Sequence, residues 1–435
     1  MTDNIISGMQ LEAAQITDFF RQRSLRVRIV GGFAAPTLYV YRVEMAPSQE
    51  FAKVSGAMDD LQRIVYWGGG DNPLETMIAE ASPDFSACDT VADDVCLIAF
   101  TSGTTGEPKG TMHFHRDMLA TCDSYGKYVL QASPDDRFIG SAPLAFTFGL
   151  GGHVLFPFRI GAASIQLEQA TPDVLLPAIG HYKASVCFTA PTAYRAMLGK
   201  LGDYDISSLR KCISAGEALP RGTFDAWLDA TGIKIMDGIG ATEMLHIFIS
   251  NRLSDMAAAT TGRPVTGYEA KIVDEEMNEL PRGSVGRLAV RGPTGCRYMA
   301  DDRQKKYVSK GWNLTGDSFV QDEAGYFHFA ARSDDMIISS GYNIAGPEVE
   351  AALLSHVHVK ECAVIGVPDV DRGQIVEAHV VLVEGVAGDE LTRKVLQDHV
   401  KATIAPFKYP REIEFTPSLP RTETGKLQRF KLRQA

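Results

Sequence analysis

Apolar runs of strand length alternate with longer amphipathic stretches, and this alternation constrains the fold more than any other feature of the chain. Val95–Phe100, Val186–Thr189, Lys211–Ser214 and Lys234–Met236 are short, β-prone and bounded by turn residues. Between them, Phe114–Leu130, Pro191–Leu201 and Arg221–Thr231 read as helices. Strands that alternate with helices favour parallel α/β layering, with ligands at the carboxyl ends of the strands. From Ala270 the character changes. Ala270–Val273, Val285–Val290 and Trp312–Phe329 read as a smaller, mostly β region, with a hairpin signal at Asp322–Gly325. After the apolar run Met336–Ile338 the chain alternates again. The expected elements are a helix over Pro347–Leu354, strands over Val359–Val367 and Glu377–Val383, and a helix over Asp389–Thr403. That tail is long enough for its own small α+β domain.

Composition excludes several classes. With 435 residues the chain is too long for one ordinary core. Its 45% hydrophobic content excludes disorder as the main state. A formal charge of −11 argues against nucleic acid as a partner, although a local basic patch can still hold phosphate. The N-terminus lacks a secretory pattern, and the seven cysteines are scattered with no C-x-x-C pair, so a cytoplasmic setting is expected. Phe138–Phe158 carries no Asp, Glu, Lys or Arg, yet Pro143, Pro157, His153 and several glycines suit it to a buried strand and loop rather than a membrane span.

The strongest local signal is Thr101-Ser102-Gly103-Thr104-Thr105-Gly106-Glu107-Pro108-Lys109-Gly110, directly after the first strand. Glycines let a backbone approach a ligand, and amides with hydroxyls make an anion cradle. Lys109 adds a point charge, and a helix expected next would add the field of its N-terminus. A flexible Ser/Thr/Gly linker has the same composition. The pattern is not a Walker loop, because Gly110 and Thr111 follow the lysine where that motif has its lysine after glycine and before Ser or Thr.

This loop resembles the phosphate loop of the acyl-adenylate-forming superfamily: acyl-CoA ligases, luciferases and peptide-synthetase adenylation domains. Further blocks resemble that superfamily in order: Ser214–Pro220 its adenine-side loop, Gly240–Glu243 its Thr-Glu motif, Thr315–Asp317 its ribose-binding turn, Ala331–Ile337 its hinge, and Pro420–Lys426 its C-terminal lysine loop. The resemblance implies a large α/β domain over 1–333. This comprises a shortened N-terminal lobe 1–90, a nucleotide- and acid-binding part 91–265 and a β subdomain 266–333. A mobile α+β lid over 334–435 would pivot at Asp334. Residues 1 to about 50 do not resemble the family's opening.

The resemblance also implies roles. Thr101, Ser102, Gly103, Thr104, Thr105, Gly106 and Lys109 would hold the phosphates of ATP. Gly216, Glu217 and Ala218 would face adenine. Thr242 would contact the α-phosphate, Glu243 would ligate Mg²⁺, Asp317 and Arg332 would hold the ribose, and Lys426 would sit between acid and phosphate. Gly341 would line a passage for coenzyme A. Taken singly, Asp317 is an ordinary turn aspartate, Glu243 a helix cap and Lys426 part of a solvated basic tail; the ordered set carries the reading.

Asp237–Phe248 and Pro143–Gly151 resemble the benzoate and 2-aminobenzoate CoA ligase branch more narrowly, which implies an acid pocket of Thr147, Phe148, Ala215, Gly238, Ile239 and His246. The expected reaction is ATP-dependent formation of an aryl-AMP, then transfer to coenzyme A. Loading a carrier-protein thiol, or nucleotide binding without turnover by a truncated relative, are the alternatives. His246 would donate a hydrogen bond to the carboxylate or to a ring substituent, although a lone histidine in an apolar stretch is more often a satisfied core residue. No membrane partner is expected, and a homodimer is compatible with the reading.

Overall fold

The structure, a computed structural model, describes residues 38–40, 63–65, 80, 89–101, 109–144, 146–167, 170–258, 260–332, 335–340, 342–421 and 427–433. The chain divides into two compact units. One takes in residues 1–118 and 297–302, and the other takes in 119–296 and 303–435.

In the first unit, β1 (Leu38–Val40) pairs in parallel with β2 (Arg63–Val65). β3 (Val95–Thr101) and β4 (Lys109–Phe114) form an antiparallel hairpin whose register closes at Thr101 opposite Lys109. The chain returns at 297–299 to bond β4, through Met112 N to Arg297 O at 2.7 Å and Met299 N to Gly110 O at 2.8 Å. This corrects one expectation. A strand, not a helix, begins at Lys109 at the end of the motif, and the following helix starts only at His115. The backbone of Lys109–Phe114 is committed to β3 and to the returning 297–299 segment, which explains the difference.

The second unit is built on a seven-stranded sheet. β5 (Arg137–Gly140), β6 (Ala163–Ser164), β7 (Val186–Thr189), β8 (Lys211–Ser214) and β9 (Ile235–Gly240) are parallel. β10 (Ile247–Ser250) and β11 (Arg263–Pro264) extend the sheet antiparallel beyond β9. Side chains alternate between two cores, as a sheet covered on both faces requires. Phe138, Val186, Phe188, Ile213 and Met236 point to one core, with Tyr125 and Phe156. Ile139, Cys187, Cys212 and Ile235 point to the other. Three helices cover that second face: α1 (Pro172–Tyr182), α2 (Pro191–Leu198) and α3 (Arg221–Thr231). Tyr194 and Trp227, both fully buried, meet edge-on at 4.8 Å between α2 and α3.

The helical stretch after β4 begins at His115 and widens to five-residue turns over Cys122–Leu130, closed by Gln131 N on Gly126 O at 2.9 Å. The uncharged segment Phe138–Phe158 starts in β5 as expected. It then runs through short helical turns over 147–160 rather than loop. Pro157 is tolerated because it stands in the first turn of the last of these, where a missing N–H matters least. Among the described residues no helix is long and apolar enough to cross a membrane.

The β region is antiparallel: β12 (Glu269–Val273), β13 (Val285–Arg291), β14 (Val308–Ser309), β15 (Trp312–Gln321) and β16 (Phe327–Arg332). In the tail, β17 (Ile337–Ser339), β18 (Tyr342–Ile344), β19 (Val359–Asp369), β20 (Gly373–Leu382) and β21 (Glu412–Phe415) form a sheet in the order β18-β17-β20-β19. β21 lies parallel to β20. α4 (Gly346–Leu354) and α5 (Glu390–Thr403) cover it, and Asp389 caps α5 by accepting the Thr392 amide at 2.9 Å.

Asp136 ties the amino ends of the parallel strands together. Its side chain is 1% exposed and accepts Ser185 Oγ at 2.6 Å, Ser133 N at 2.8 Å and Arg210 Nη2 at 2.6 Å, with Lys211 Nζ at 3.4 Å. Burial alone would raise its pKa. The Ser185 hydroxyl, the Ser133 amide and the two cations outweigh burial and hold it at about 2. Removing a partnered buried charge leaves the other groups unpaired, so Asp136→Ala should lower unfolding free energy by about 3 kcal/mol. The stabilisation is present above the unfolded carboxyl pKa of roughly 4 and is lost as pH falls toward the folded value. Urea unfolding at pH 7 and pH 3 should therefore show a smaller acid loss for the variant than for the parent. An equal loss in both proteins would refute the assignment.

Candidate functional site

The carboxyl end of β9 concentrates the expected residues. β9 and β10 approach so closely there that side chains are excluded from two positions. A Cβ on Gly238 would lie 2.8 Å from Ile247 Cγ2, and one on Gly240 would lie 2.7 Å from the His246 carbonyl oxygen. The register shifts between Ile247 and Ile249, a bulge that lets β10 bend around the end of β9. Between the strands, Thr242–Met244 form a single 3₁₀ turn. Leu245 completes the reversal at φ +69°, a left-handed conformation held by a fully buried side chain. Glu243 is thereby buried on the turn, directly after the half-buried Thr242.

His246 follows the reversal and is 3% exposed. Its ring lies 4.7 Å from Phe156, 5.2 Å from Tyr125, 5.9 Å from Phe148 and 6.4 Å from Phe188. Burial pushes its pKa down to about 3, so the imidazole is neutral at pH 7. Gly151 belongs to this packing, because a Cβ there would meet the His246 ring at 2.3 Å. Phe148 reaches the same place from the first helical turn after β5, and Thr147 precedes it in that turn, both half-buried. Phe148 also packs 5.5 Å from Phe188 of β7. Ala215 is buried just after β8, and Ile239 packs against the same core as Phe148. The structure thus brings Phe148, Ile239 and His246 to one core, with Ala215 and Gly238 at the adjacent strand ends.

Loop residues Gly216, Glu217 and Ala218 follow β8, and Gly216 makes the turn at φ +93°. The Arg421 guanidinium reaches within 3.8 Å of Glu217 and bonds Glu361 at 2.9 Å. The start of the C-terminal loop is therefore seated beside this turn.

Asp317 and Arg332 face each other across β15 and β16. Arg332 Nη1 donates to Asp317 Oδ1 at 2.9 Å and to the Thr315 carbonyl at 3.3 Å. Thr315–Asp317 bulge from β15 where β13 runs past, because pairing jumps from Arg287–Ser318 to Ala289–Leu314. Gly316, at φ +76°, sits against the Arg332 guanidinium, which a Cβ would meet at 2.9 Å.

In the first unit, Thr101 and Lys109 are register partners at the end of β3 and the start of β4, and the Lys109 ammonium lies 4.8 Å above the Tyr298 ring. Ser102, Gly103, Thr104, Thr105, Gly106, Asp334, Gly341 and Lys426 lie outside the described residues, and with them the hinge and the lysine itself.

Asp237 was not singled out by sequence reasoning. Its carboxyl is fully buried opposite Ser214 in the β8–β9 register, and burial raises its pKa well above the usual range. Its place beside Gly238 in the Asp-Gly-Ile-Gly stretch was the available signal. Asp before glycine reads as a turn residue, which hid its burial. Tyr125 was missed for a similar reason, because it reads as one more apolar position of a helix.

Comparison with known proteins completes the picture. The sequence model of the AMP-binding enzyme family matches residues 10–298, and that of the AMP-binding enzyme C-terminal domain matches 348–426. The first match includes residues 10–50, which the sequence reading set apart from the family pattern. The chain is 39% identical over 395 residues to a benzoate–CoA ligase of Thauera aromatica, covering 88% of this chain and 74% of that protein. It is similar to a crystal structure of an anthranilate CoA ligase in complex with anthranoyl-AMP, with TM-score 0.86, 37% identity, and 91% of this chain and 77% of that one covered. It is also similar to a benzoate CoA ligase from Burkholderia xenovorans LB400, with TM-score 0.81, 33% identity, and 97% and 82% covered.

The neutral, caged histidine makes a pH prediction. A histidine whose folded pKa is depressed binds its proton mainly in the unfolded state, so stability is complete above pH 6.5 and declines as pH falls below it. His246→Phe should flatten the loss of unfolding free energy between pH 7 and pH 5, read by urea titration at both values. An unchanged pH dependence would show that the fold does not lower the pKa of His246.

Proposed function

Because the chain belongs to the AMP-binding enzyme family, we propose that it is an AMP-forming ligase that joins an aromatic carboxylic acid of the benzoate or 2-aminobenzoate type to coenzyme A. One observation supports the aromatic acid most: a neutral, buried His246 ringed by aromatic side chains at the carboxyl end of a parallel sheet. Apolar and aromatic walls with few polar groups suit a flat ring.

The chemistry asks little of acid–base catalysis. A benzoate-type carboxylate is ionised at pH 7 and needs no general base. What opposes the reaction is the approach of one anion to another, so positioning and charge stabilisation carry the rate. In this reading the carboxylate oxygen attacks the α-phosphorus of ATP, the bond to the β-phosphate oxygen breaks, and pyrophosphate leaves. The Thr101–Lys109 turn holds the departing phosphates. Asp317 accepts the ribose hydroxyls; a carboxylate has roughly four acceptor sites, so this is compatible with its Arg332 bond. Glu217 and its neighbours flank adenine, and Lys426 bridges acid and phosphate.

Glu243 offers a carboxylate that fits a hard cation such as Mg²⁺, and Thr242, beside it on the same turn, contacts the α-phosphate in this reading. When bound, such an ion would offset the charge of the phosphate oxygens. In the second half-reaction a coenzyme A thiol takes the acyl group and AMP is released.

A panel of aromatic acids, assayed for pyrophosphate and for the CoA thioester, tests the reading. Benzoate or an amino-substituted relative should give both products. Lys426→Ala should cut pyrophosphate formation at least about 100-fold, as loss of a transition-state charge does. Asp317→Ala should raise the KM for ATP about tenfold with the acid ranking unchanged, since one lost hydrogen bond to a charged group has that order of effect. Phe148→Ala should change the acid ranking instead. No pyrophosphate with any acid would overturn the proposal. Pyrophosphate without CoA thioester would reassign the acceptor to another thiol.

A further inference from the structure

Arginine–glutamate pairs hold the chain on both sides of Lys426. Before it, Arg421 Nη2 donates to Glu361 of β19 at 2.9 Å. Arg421 and Leu427 pair across an antiparallel bridge, and the Gln428 amide donates to the Pro420 carbonyl at 2.9 Å. After it, Arg429 opens the short helix α6 (Arg429–Leu432). Its Nη2 donates to both carboxylate oxygens of Glu350 on α4, at 2.8 and 2.9 Å, and its Nε donates to one of them at 3.3 Å. Glu350 also accepts the Val364 amide of β19 at 2.8 Å. One carboxylate thus joins α4, β19 and α6. Arg433, just past α6, pairs with Asp335. Leu419 and Leu427 pack with Ala363 and Val381 of the lid sheet.

Stability alone does not call for this arrangement. The Glu350 and Arg429 side chains are 13% and 21% exposed. A charge pair withdrawn that far from water loses in solvation much of what it gains in attraction, and apolar side chains of similar volume would hold a chain end as well. What the pair adds is direction. A guanidinium forked on a carboxylate fixes an angle as well as a distance. Lys426 immediately precedes Leu427 and stands three residues before Arg429. The points that fix the course of the backbone next to the lysine therefore belong to this frame. A cation that must meet two reacting anions is sensitive to its placement, because an error of about 1 Å can cost roughly 100-fold in rate.

We propose that Arg429, held by Glu350, is a positioning residue that sets where the Lys426 ammonium is presented to the acid and the α-phosphate. The proposal rests on the role given to Lys426 above and adds to it the pair that acts through the lysine.

Arg429→Lys keeps the charge and loses the fork, whereas Glu350→Gln keeps an acceptor for the Val364 amide and loses the charge. Each should lower kcat for pyrophosphate formation about tenfold, the effect of a fraction of that displacement, with KM for ATP and for the acid within about twofold. Thioester formation from supplied aryl-AMP and coenzyme A should stay within about twofold of the parent. Both substitutions are then repeated in Lys426→Ala. A residue that works through the lysine has nothing left to act on there, so neither should slow pyrophosphate formation further. A loss of the same size without Lys426, equal losses in the two half-reactions, or no loss in the parent background overturns the proposal. So does failure of both variants to fold, since the pair would then serve stability. If the parent makes no pyrophosphate with any aromatic acid, the ligase reading itself fails. If Lys426→Ala matches the parent, the role of the lysine fails. If both of those stand and the losses add, this proposal alone is wrong.

Discussion

The close approach of β9 and β10 is the constraint on which the candidate site depends. The two glycines of β9 leave no room for side chains, and the bulge in β10 turns that approach into a bend. The Thr242–Met244 turn and the buried left-handed Leu245 follow from it, because six residues must reverse a chain that is packed on every side. Glu243 is aimed by this reversal, and His246 is carried back into the aromatic core. A side chain at either glycine would separate the strands and misplace both residues. Interiors are packed too densely to absorb such a shift.

Two kinds of polar burial divide the sheet. At its amino ends, Asp136 is buried as a charge with partners on several sides, and it fastens three strands. At its carboxyl ends, His246 and Tyr125 are buried neutral among aromatic rings. The first arrangement contributes stability. The second lies toward the strand ends where ligands of this sheet architecture bind. The Asp317–Arg332 pair belongs between these cases, partnered within the β region yet set on a bulge that turns the carboxylate out of regular pairing.

Much of this was legible in the chain. Arg221–Thr231 forms the expected helix, and Val186–Thr189 and Lys211–Ser214 form the expected strands, because their period and their turn-forming flanks agree. The Asp322–Gly325 hairpin is equally local, a turn between strands that share a register. What was not legible depends on tertiary context. The glycine-rich motif was expected to run into a helix, and a strand, Lys109–Phe114, intervenes because β3 and the returning 297–299 segment both pair with it. The helical turns over 147–160 override glycine and proline signals, because Gly151 and Gly152 are needed for contact with His246 and Phe188. Burial of Asp237 and of Tyr125 is a property of packing, which spacing along a sequence does not express.

The central claim is that a carboxylate oxygen attacks the α-phosphorus of ATP, and oxygen tracing tests it most directly. Benzoate or 2-aminobenzoate labelled with ¹⁸O in both carboxyl oxygens, incubated with the protein, ATP, Mg²⁺ and coenzyme A, should deliver one labelled oxygen to AMP and none to pyrophosphate, read by mass spectrometry. Label in pyrophosphate or inorganic phosphate, or unlabelled AMP alongside thioester, would contradict the account.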